Sequence, residues 1–269
     1  MTPEVSVVIP VWDDYAGEQL LEAVRSVRDQ DLEAALVIVD NASTTPVPTI
    51  DGAALVRLTD RVSTGAARNA ALPYLETPYV MFLDADDVLL AGALSALVSC
   101  MRASPRTSSC SLSIMDATTG ERFRVPRRFA RHLARVRPLF QLANTIWSLL
   151  PTQGCTLMRV DDLRSCGGYG DQTYGEDWVL SVSLTLRGDA SFIPTAGLRY
   201  HRRDDSPGSR ALSSGLLMAN ARSVRERIRV DPATPGWLRR PLPVIAVVQA
   251  FAARVAHPVY RSLRALKAP

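Results

Sequence analysis

The sequence is nearly without lysine. Lys267 is the only one, so thirty of its 31 basic side chains are arginines (31 − 1 = 30). We read this as a coding bias toward Arg, not as a mechanism. Cysteine is also scarce: Cys100, Cys110, Cys155 and Cys166 include no CxxC pair and no metal-type spacing. That pattern excludes a zinc-ribbon organisation and predicts reduced, mostly buried thiols in a cytosolic protein. No GxGxxG occurs, which excludes a dinucleotide cofactor. The longest apolar stretch, near Val244 to Ala253, is interrupted by Gln249 and is too short to span a bilayer. The opening Met1-Thr2-Pro3-Glu4 lacks the basic start of a signal peptide, so none is expected. There are no internal repeats or low-complexity tracts. Aromatic and basic residues are not interleaved as on a base-stacking platform, which argues against nucleic acid as a partner.

What is present describes a globular chain with a substantial core. Of its 269 residues, 47% are hydrophobic and 22% charged. The net charge is +4, but its placement matters more than its size. Seven arginines and no acid fall between Arg122 and Arg137, and eleven basic residues follow from Arg210 onward against Glu226 and Asp231. Such asymmetry points to an anionic partner for the later part of the chain.

Apolar periodicity gives the order of elements. Val5–Ile9 is β-rich, and Pro10 is expected to stop its ladder. Leu20, Leu21, Val24 and Val27 have helical spacing, and strands follow at Leu36–Val39 and Leu55–Leu58. A helix opened by Gly65 precedes a strand over Val80–Leu83. A further helix is expected from Leu89 to Met101, then strands at 109–115, 156–159, 191–193 and 198–203. Helices are expected at Glu176–Arg187 and Leu212–Val230. Strand and helix alternate through the first hundred residues as in a nucleotide-binding, mainly parallel α/β sheet. We divide the chain into residues 1–105, residues 106–231 as the second half of the same domain, and a basic helical tail over 232–269.

The densest chemistry lies at Asp84-Ala85-Asp86-Asp87, directly after an apolar strand. Open α/β sheets bind ligands at the carboxyl edge of their strands. Carboxylates there suit a hard cation that carries phosphates. Alone, the triplet is equally well a solvated acidic turn that caps the next helix. Four other landmarks share its order along the chain. They are Val7-Val8-Ile9-Pro10-Val11-Trp12-Asp13, then Asp40 after the second strand, then Gly65-Ala66-Ala67-Arg68-Asn69, and last Gly167-Gly168-Tyr169 followed by Glu176-Asp177.

Together these five landmarks, spread over about residues 5–210, resemble the family-2 glycosyltransferases of GT-A fold. The third has one residue fewer between its glycine and arginine than the family pattern. The resemblance implies a metal-dependent inverting enzyme. It would transfer sugar from a nucleotide-diphospho-sugar to a saccharide or lipid-linked hydroxyl, in bacterial cell-envelope polysaccharide synthesis. It implies Asp177 as general base, with Glu176, Gly168 and Tyr169 at the acceptor. Pro10, Val11, Trp12, Asp40, Arg68, Asp84 and Ala85 would line the donor. Trp12 would stack on or wall the base, or else be a core aromatic. Asp86 and Asp84 would hold Mn²⁺ or Mg²⁺, and His201 would either join them or be a structural histidine. Arg202 and Arg203, in a late basic loop whose spacing departs from the family's, would meet the diphosphate. A UDP- or dTDP-sugar is favoured as donor.

Two rival readings are a sugar-phosphate nucleotidyltransferase and a catalytically silent GT-A-like membrane or assembly module. The first lacks its glycine-rich basic loop after Ile9, and the intact acidic pairs weigh against the second. The tail places Val244, Val248, Phe251, Val255 and Val259 on one face among arginines. It reads either as an interfacial helix on an anionic membrane or as a helix packed on the domain or on a second copy of the chain. The expected location is cytoplasmic, with the inner membrane face open to the tail.

Overall fold

The computed structural model describes residues 2–120, 122–123, 128–150, 154–172, 175–201 and 216–251. Among them, nine strands form one sheet in the order β3-β2-β1-β4-β8-β6-β9-β5, with β7 paired to β6. Its first part is parallel: β1 (Val5–Val11) lies between β2 (Ala34–Asp40) and β4 (Tyr79–Phe82), and β3 (Ala53–Arg57) flanks β2. β8 (Thr156–Arg159) then runs antiparallel between β4 and β6 (Thr107–Asp116), which restores the direction of β4. β9 (Asp189–Tyr200) is parallel to β6 through several register shifts, and two-residue β5 (Val88–Leu89) closes the edge antiparallel to β9. β7 is Arg122–Phe123. Most paired residues belong to parallel ladders, as the α/β reading expected.

Alternation along the strands splits the core. Val5, Val7, Ile9 and Val11 point to one face, under α1 (Glu18–Arg28) and α3 (Ala93–Ala103). Val8, Val37, Val39, Val80 and Phe82 point to the other, under α2 (Thr64–Asn69), α6 (Val160–Ser165) and α7 (Glu176–Arg187). Each such buried side chain contributes about 1.5–3 kcal/mol. α4 (Arg128–Ala134) and α5 (Arg137–Ile146) cover the start of β9, and α8 (Leu216–Val230) packs on α7 through Val224 and Ile228. A short α9 (Gly236–Arg239) leads to a last helix over 242–251.

Three sequence expectations need correction. Pro10 does not end β1, because it pairs with Val39. It shares the parity of Val8, whose carbonyl accepts from Leu83, so its missing donor faces the β4 side, where β4 has already ended. Val88 and Leu89 form β5 instead of opening a helix; α3 begins four residues later, after Gly92 in a left-handed conformation. The segments 191–193 and 198–203 are not separate strands: β9 runs continuously to Tyr200.

The tail packs on the domain. Leu238 and Ile245 are buried, and Gln249 donates to the Thr145 and Ile146 carbonyls at 3.0 and 3.3 Å. Val244, Val247, Val248 and Phe251 face solvent. Val255 and Val259, expected on the same face, lie outside the described residues. Among the described residues, no helix is long and apolar enough to cross a membrane.

Candidate active site

The carboxyl edge of the parallel strands gathers most of the expected residues. β1 ends at Val11 opposite Asp40, the last residue of β2, and Asp84 follows β4. The chain turns after Asp84 with the Asp87 N–H donating to the Asp84 carbonyl at 3.0 Å. It then enters β5, so the antiparallel pairing of β5 with β9 carries the end of β9 back onto the acidic loop. There the His201 N–H donates to the Asp87 carboxylate at 3.2 Å, and its ring Nδ1 lies 2.6 Å from the Asp86 carbonyl oxygen. A carbonyl can only accept, so Nδ1 carries a proton, and in the neutral imidazole Nε2 is the atom with the lone pair. Asp87 is buried, Asp84 and Asp86 are half-buried, and His201 is exposed. Ala85, expected at the donor, is buried in the core. Among the described residues, no group of three or more His, Cys, Asp or Glu could by itself hold a metal ion.

Arg68 is the centre of the site. It is 3% exposed, and its two terminal nitrogens divide between partners from distant parts of the chain. One donates to Asp84 at 2.8 Å and the other to Glu176 at 3.0 Å. Its guanidinium also lies 5.1 Å from the centre of the Tyr169 ring. Burial alone would lower the Arg68 pKa, yet Asp84, Tyr169 and Glu176 together raise it above the ordinary guanidinium range. For Glu176, burial pushes the carboxyl up, Arg68 draws it back, and Asp177 pushes it up again. Asp177 is only half-buried, and one of its oxygens accepts the Trp178 N–H at 2.8 Å in the first turn of α7. The adjacent acids thus have different places: Glu176 is buried and clasped by Arg68, and Asp177 is half-buried.

The glycine motifs explain this closeness. A Cβ built at Gly65 would collide with the Gly170 carbonyl oxygen, so only a glycine lets α2 approach that loop. Gly167 and Gly168 have φ of 77° and 73° and close α6, their N–H groups donating to Arg164 and Leu163. A Cβ at Gly168 would strike Asn69. Asn69 in turn clasps the Tyr169 backbone, donating to its carbonyl and accepting its N–H, both at 2.8 Å. Gly168 and Tyr169, expected at the acceptor, therefore lie beneath the site. Tyr169 is 3% exposed, with its ring edge-on to Phe82 at 5.1 Å, so it positions Arg68 instead of meeting solvent.

The expected base pocket is likewise internally bonded. Pro10 and Val11 are strand residues, and the Val11 side chain is wholly buried. Asp40 is fully buried, accepting the Ser43 N–H at 2.9 Å with one oxygen and pairing with Arg57 through the other. Trp12 is half-buried, with Tyr15 edge-on at 5.0 Å and the Arg61 guanidinium 5.2 Å from its ring centre. Arg61 also donates to Asp13 at 2.8 Å. The Thr44 N–H and hydroxyl on Asp13 hold its carboxyl below the usual range, with Arg61 adding to the effect. Asn41 fixes the intervening loop by exchanging two 3.0 Å bonds with the Val62 backbone. Asp13 and Ala42 both have positive φ, 36° and 54°, a backbone cost concentrated at this loop pair.

Sequence reasoning had not singled out Arg57, Arg61 or Thr44. The acid-rich strand ends facing a pair of arginines four residues apart were the available signal. Arg202 and Arg203 lie outside the described residues.

Comparison with solved structures recovers the same architecture. S. aureus TarS 1–349 in complex with UDP-GlcNAc superposes with a TM-score of 0.71 at 18% identity, covering 93% of this chain and 73% of that one. The mannosyltransferase PcManGT from Pyrobaculum calidifontis, in complex with GDP-Man and Mn²⁺, gives 0.67 at 19% identity, over 100% and 76%. Of S. aureus TarS in its longer form, this chain covers 55%. No curated protein matches in sequence. The model of one family, Glycosyl transferase family 2, matches residues 6–167, more than half of the chain. That span runs from the first strand through the Asp84 loop to the glycine that closes α6, stopping short of Glu176 and Asp177. On that match, this chain belongs to glycosyl transferase family 2.

Proposed function

We propose that the chain is a metal-dependent inverting glycosyltransferase that moves the sugar of a nucleotide-diphospho-sugar onto a hydroxyl of a saccharide or lipid-linked acceptor. The observation that carries this reading is the Arg68 bridge. It ties the Asp84 loop, at the carboxyl edge of the parallel strands, to the Glu176-Asp177 helix start, which supports a single site for donor and acceptor.

Asp86 and His201 fit a divalent cation. His201 presents the lone pair of Nε2, Asp86 supplies a hard carboxylate, and phosphate and water oxygens can complete the shell as Mg²⁺ or Mn²⁺ prefers. When bound, such an ion neutralises charge on the departing nucleoside diphosphate. Asp84, held by Arg68, would reach the ribose or the metal. Trp12 offers its ring to the base, and Asp40 fixes the floor through Arg57 and Ser43. Tyr15 and Arg61 already lie against Trp12 and narrow the space beside its ring, which supports a smaller pyrimidine base. The two neighbours hold a uridine and a guanosine donor respectively, so the fold admits both.

Asp177 takes the proton from the acceptor hydroxyl as its oxygen attacks the anomeric carbon. Attack from the face opposite the leaving group inverts that centre. The α7 N-terminus favours an ionised carboxylate there. The exposed apolar residues of the last helix support contact with the inner membrane face, and the family resemblance implies an acceptor in cell-envelope polysaccharide synthesis.

The test is a donor screen that follows nucleoside-diphosphate release with Mn²⁺ present and with excess chelator. Release from UDP- or dTDP-sugars, abolished by chelator, is expected. Release only from GDP-sugars would remove the pyrimidine preference, full activity in chelator would remove the metal, and no release from any donor would remove the reaction.

A further inference from the structure

A second concave site lies at the opposite end of the sheet. β6 and β9 run in the direction of β4, so their paired first residues, Thr107 and Asp189, mark the edge away from Asp84. There the end of α3, the helix α4 and the first turn of α5 enclose a cavity of about 1000 Å³. Small-ligand sites ordinarily span about 300–1,000 Å³, so this is room for a compact molecule, not a flat patch.

Its lining is cationic. Arg106, Arg131, Arg135 and Arg137 border it with His132, and Asp189 is the one acid among the described lining residues. Asp189 pairs with two of them and so offsets one positive charge, leaving the lining cationic. It stands 3.5 Å from Arg106 and 3.9 Å from Arg137, and its Oδ1 is buried without a hydrogen-bond partner. Arg137 is committed to structure, donating to the Thr185 and Leu186 carbonyls at 3.2 and 2.8 Å. The Nε of Arg131 is buried without an acceptor. A buried N–H left unpaired is costly, and a bound anion that turned the guanidinium toward the cavity would relieve that cost. The first turn of α5 adds to the field: its N-cap, Val136, has no side-chain cap, and the helix is ten residues long.

We propose that this cavity binds a small phosphate-bearing ligand of at least two negative charges, at a site separate from the donor. Guanidinium forks match phosphate oxygens in geometry and charge, and three of them, on Arg106, Arg131 and Arg135, with the charge of Arg137 behind, select against a neutral sugar or a monoanion.

Calorimetric titration of the full chain with inorganic pyrophosphate, in low salt with chelator to silence the donor loop, should give saturable one-to-one binding. The double variant Arg131→Gln/Arg135→Gln should weaken it about ten-fold or more, as loss of charge-assisted bonds requires. Arg106→Gln, on a side chain 77% exposed, is the variant least able to disturb folding and should weaken it several-fold. Asp86→Ala should leave it intact. Vesicles of phosphatidylglycerol should bind the wild type and the double variant alike. Absent binding, binding unaffected by either arginine variant, binding lost with Asp86→Ala, or an arginine dependence seen only on vesicles would each overturn the proposal.

Discussion

Arg68→Met separates the electrostatic role of Arg68 from its bulk. Methionine fills much of the same space without a charge, so the change leaves Glu176 buried with no cation. Breaking a buried pair by removing one partner costs about 3–5 kcal/mol. Asp84, the other partner, is about a third exposed and can turn to water, so the lower end of that range applies. The loss should depend on pH, and the sign follows from Glu176. Burial already raises its folded pKa above the unfolded value of 4.5, and Arg68 is the chief restraint. With Arg68 gone the folded pKa rises further, so the folded state holds a proton that the unfolded state has released. Stability is then fully present below the unfolded pKa and falls as pH climbs toward the folded one, by up to about 1.4 kcal/mol per unit. Urea melts of wild type and Arg68→Met at pH 5 and pH 8 should show a clearly larger deficit at pH 8. Adding Glu176→Gln should recover part of the loss at pH 8 and little at pH 5. An equal deficit at both pH values, with no recovery in the double variant, would show that Arg68 acts only through packing.

Asp177→Asn should lower kcat by about 10²–10⁴-fold while donor affinity by calorimetry stays near wild type; turnover within a few-fold of wild type would move the base elsewhere. Gly65→Ala should destabilise the fold and lower activity together, since its methyl meets the Gly170 backbone, and a thermal melt like the wild type would show that the loop yields. For membrane contact, Val247→Asp/Phe251→Asp should reduce binding to anionic vesicles with soluble-donor turnover unchanged. Point changes are preferable to truncation because Leu238 and Ile245 are core residues, and unchanged vesicle binding would assign that face another role.

The first half of the fold was legible because its signals are local. Val5–Ile9, Leu36–Val39 and the run into Asp84 are apolar stretches that sit on the right faces wherever their partners come from. β5 was not legible, since Val88 and Leu89 are strand only by pairing with Arg199 and Leu198, more than a hundred residues away. β9 carries Pro194 and Gly197 inside one strand and tolerates them through its register shifts. In the site, motifs marked which residues gather, but not which way they turn. Tyr169 reads as a ligand contact from its motif and proves to be a floor tile under Arg68. The partners of Asp40 and Asp13 were hidden because Arg57 meets Asp40 only through the β2–β3 register, and Arg61 reaches Asp13 only after the loop beyond β3 folds over.

The sheet order also limits how this protein can be taken apart. β8 comes from the second half of the chain yet fills the place beside β4, and β5 comes from the first half yet lies beyond β9. A fragment ending near residue 105 would bare the β8 side of β4 and leave β5 without its β9 partner, an invitation to edge-to-edge aggregation. Exchanging halves with a relative would need matched registers at β4–β8 and β5–β9 at once. Donor and acceptor preferences in such an enzyme are therefore more readily altered by replacing loops at the carboxyl edge than by splicing domains.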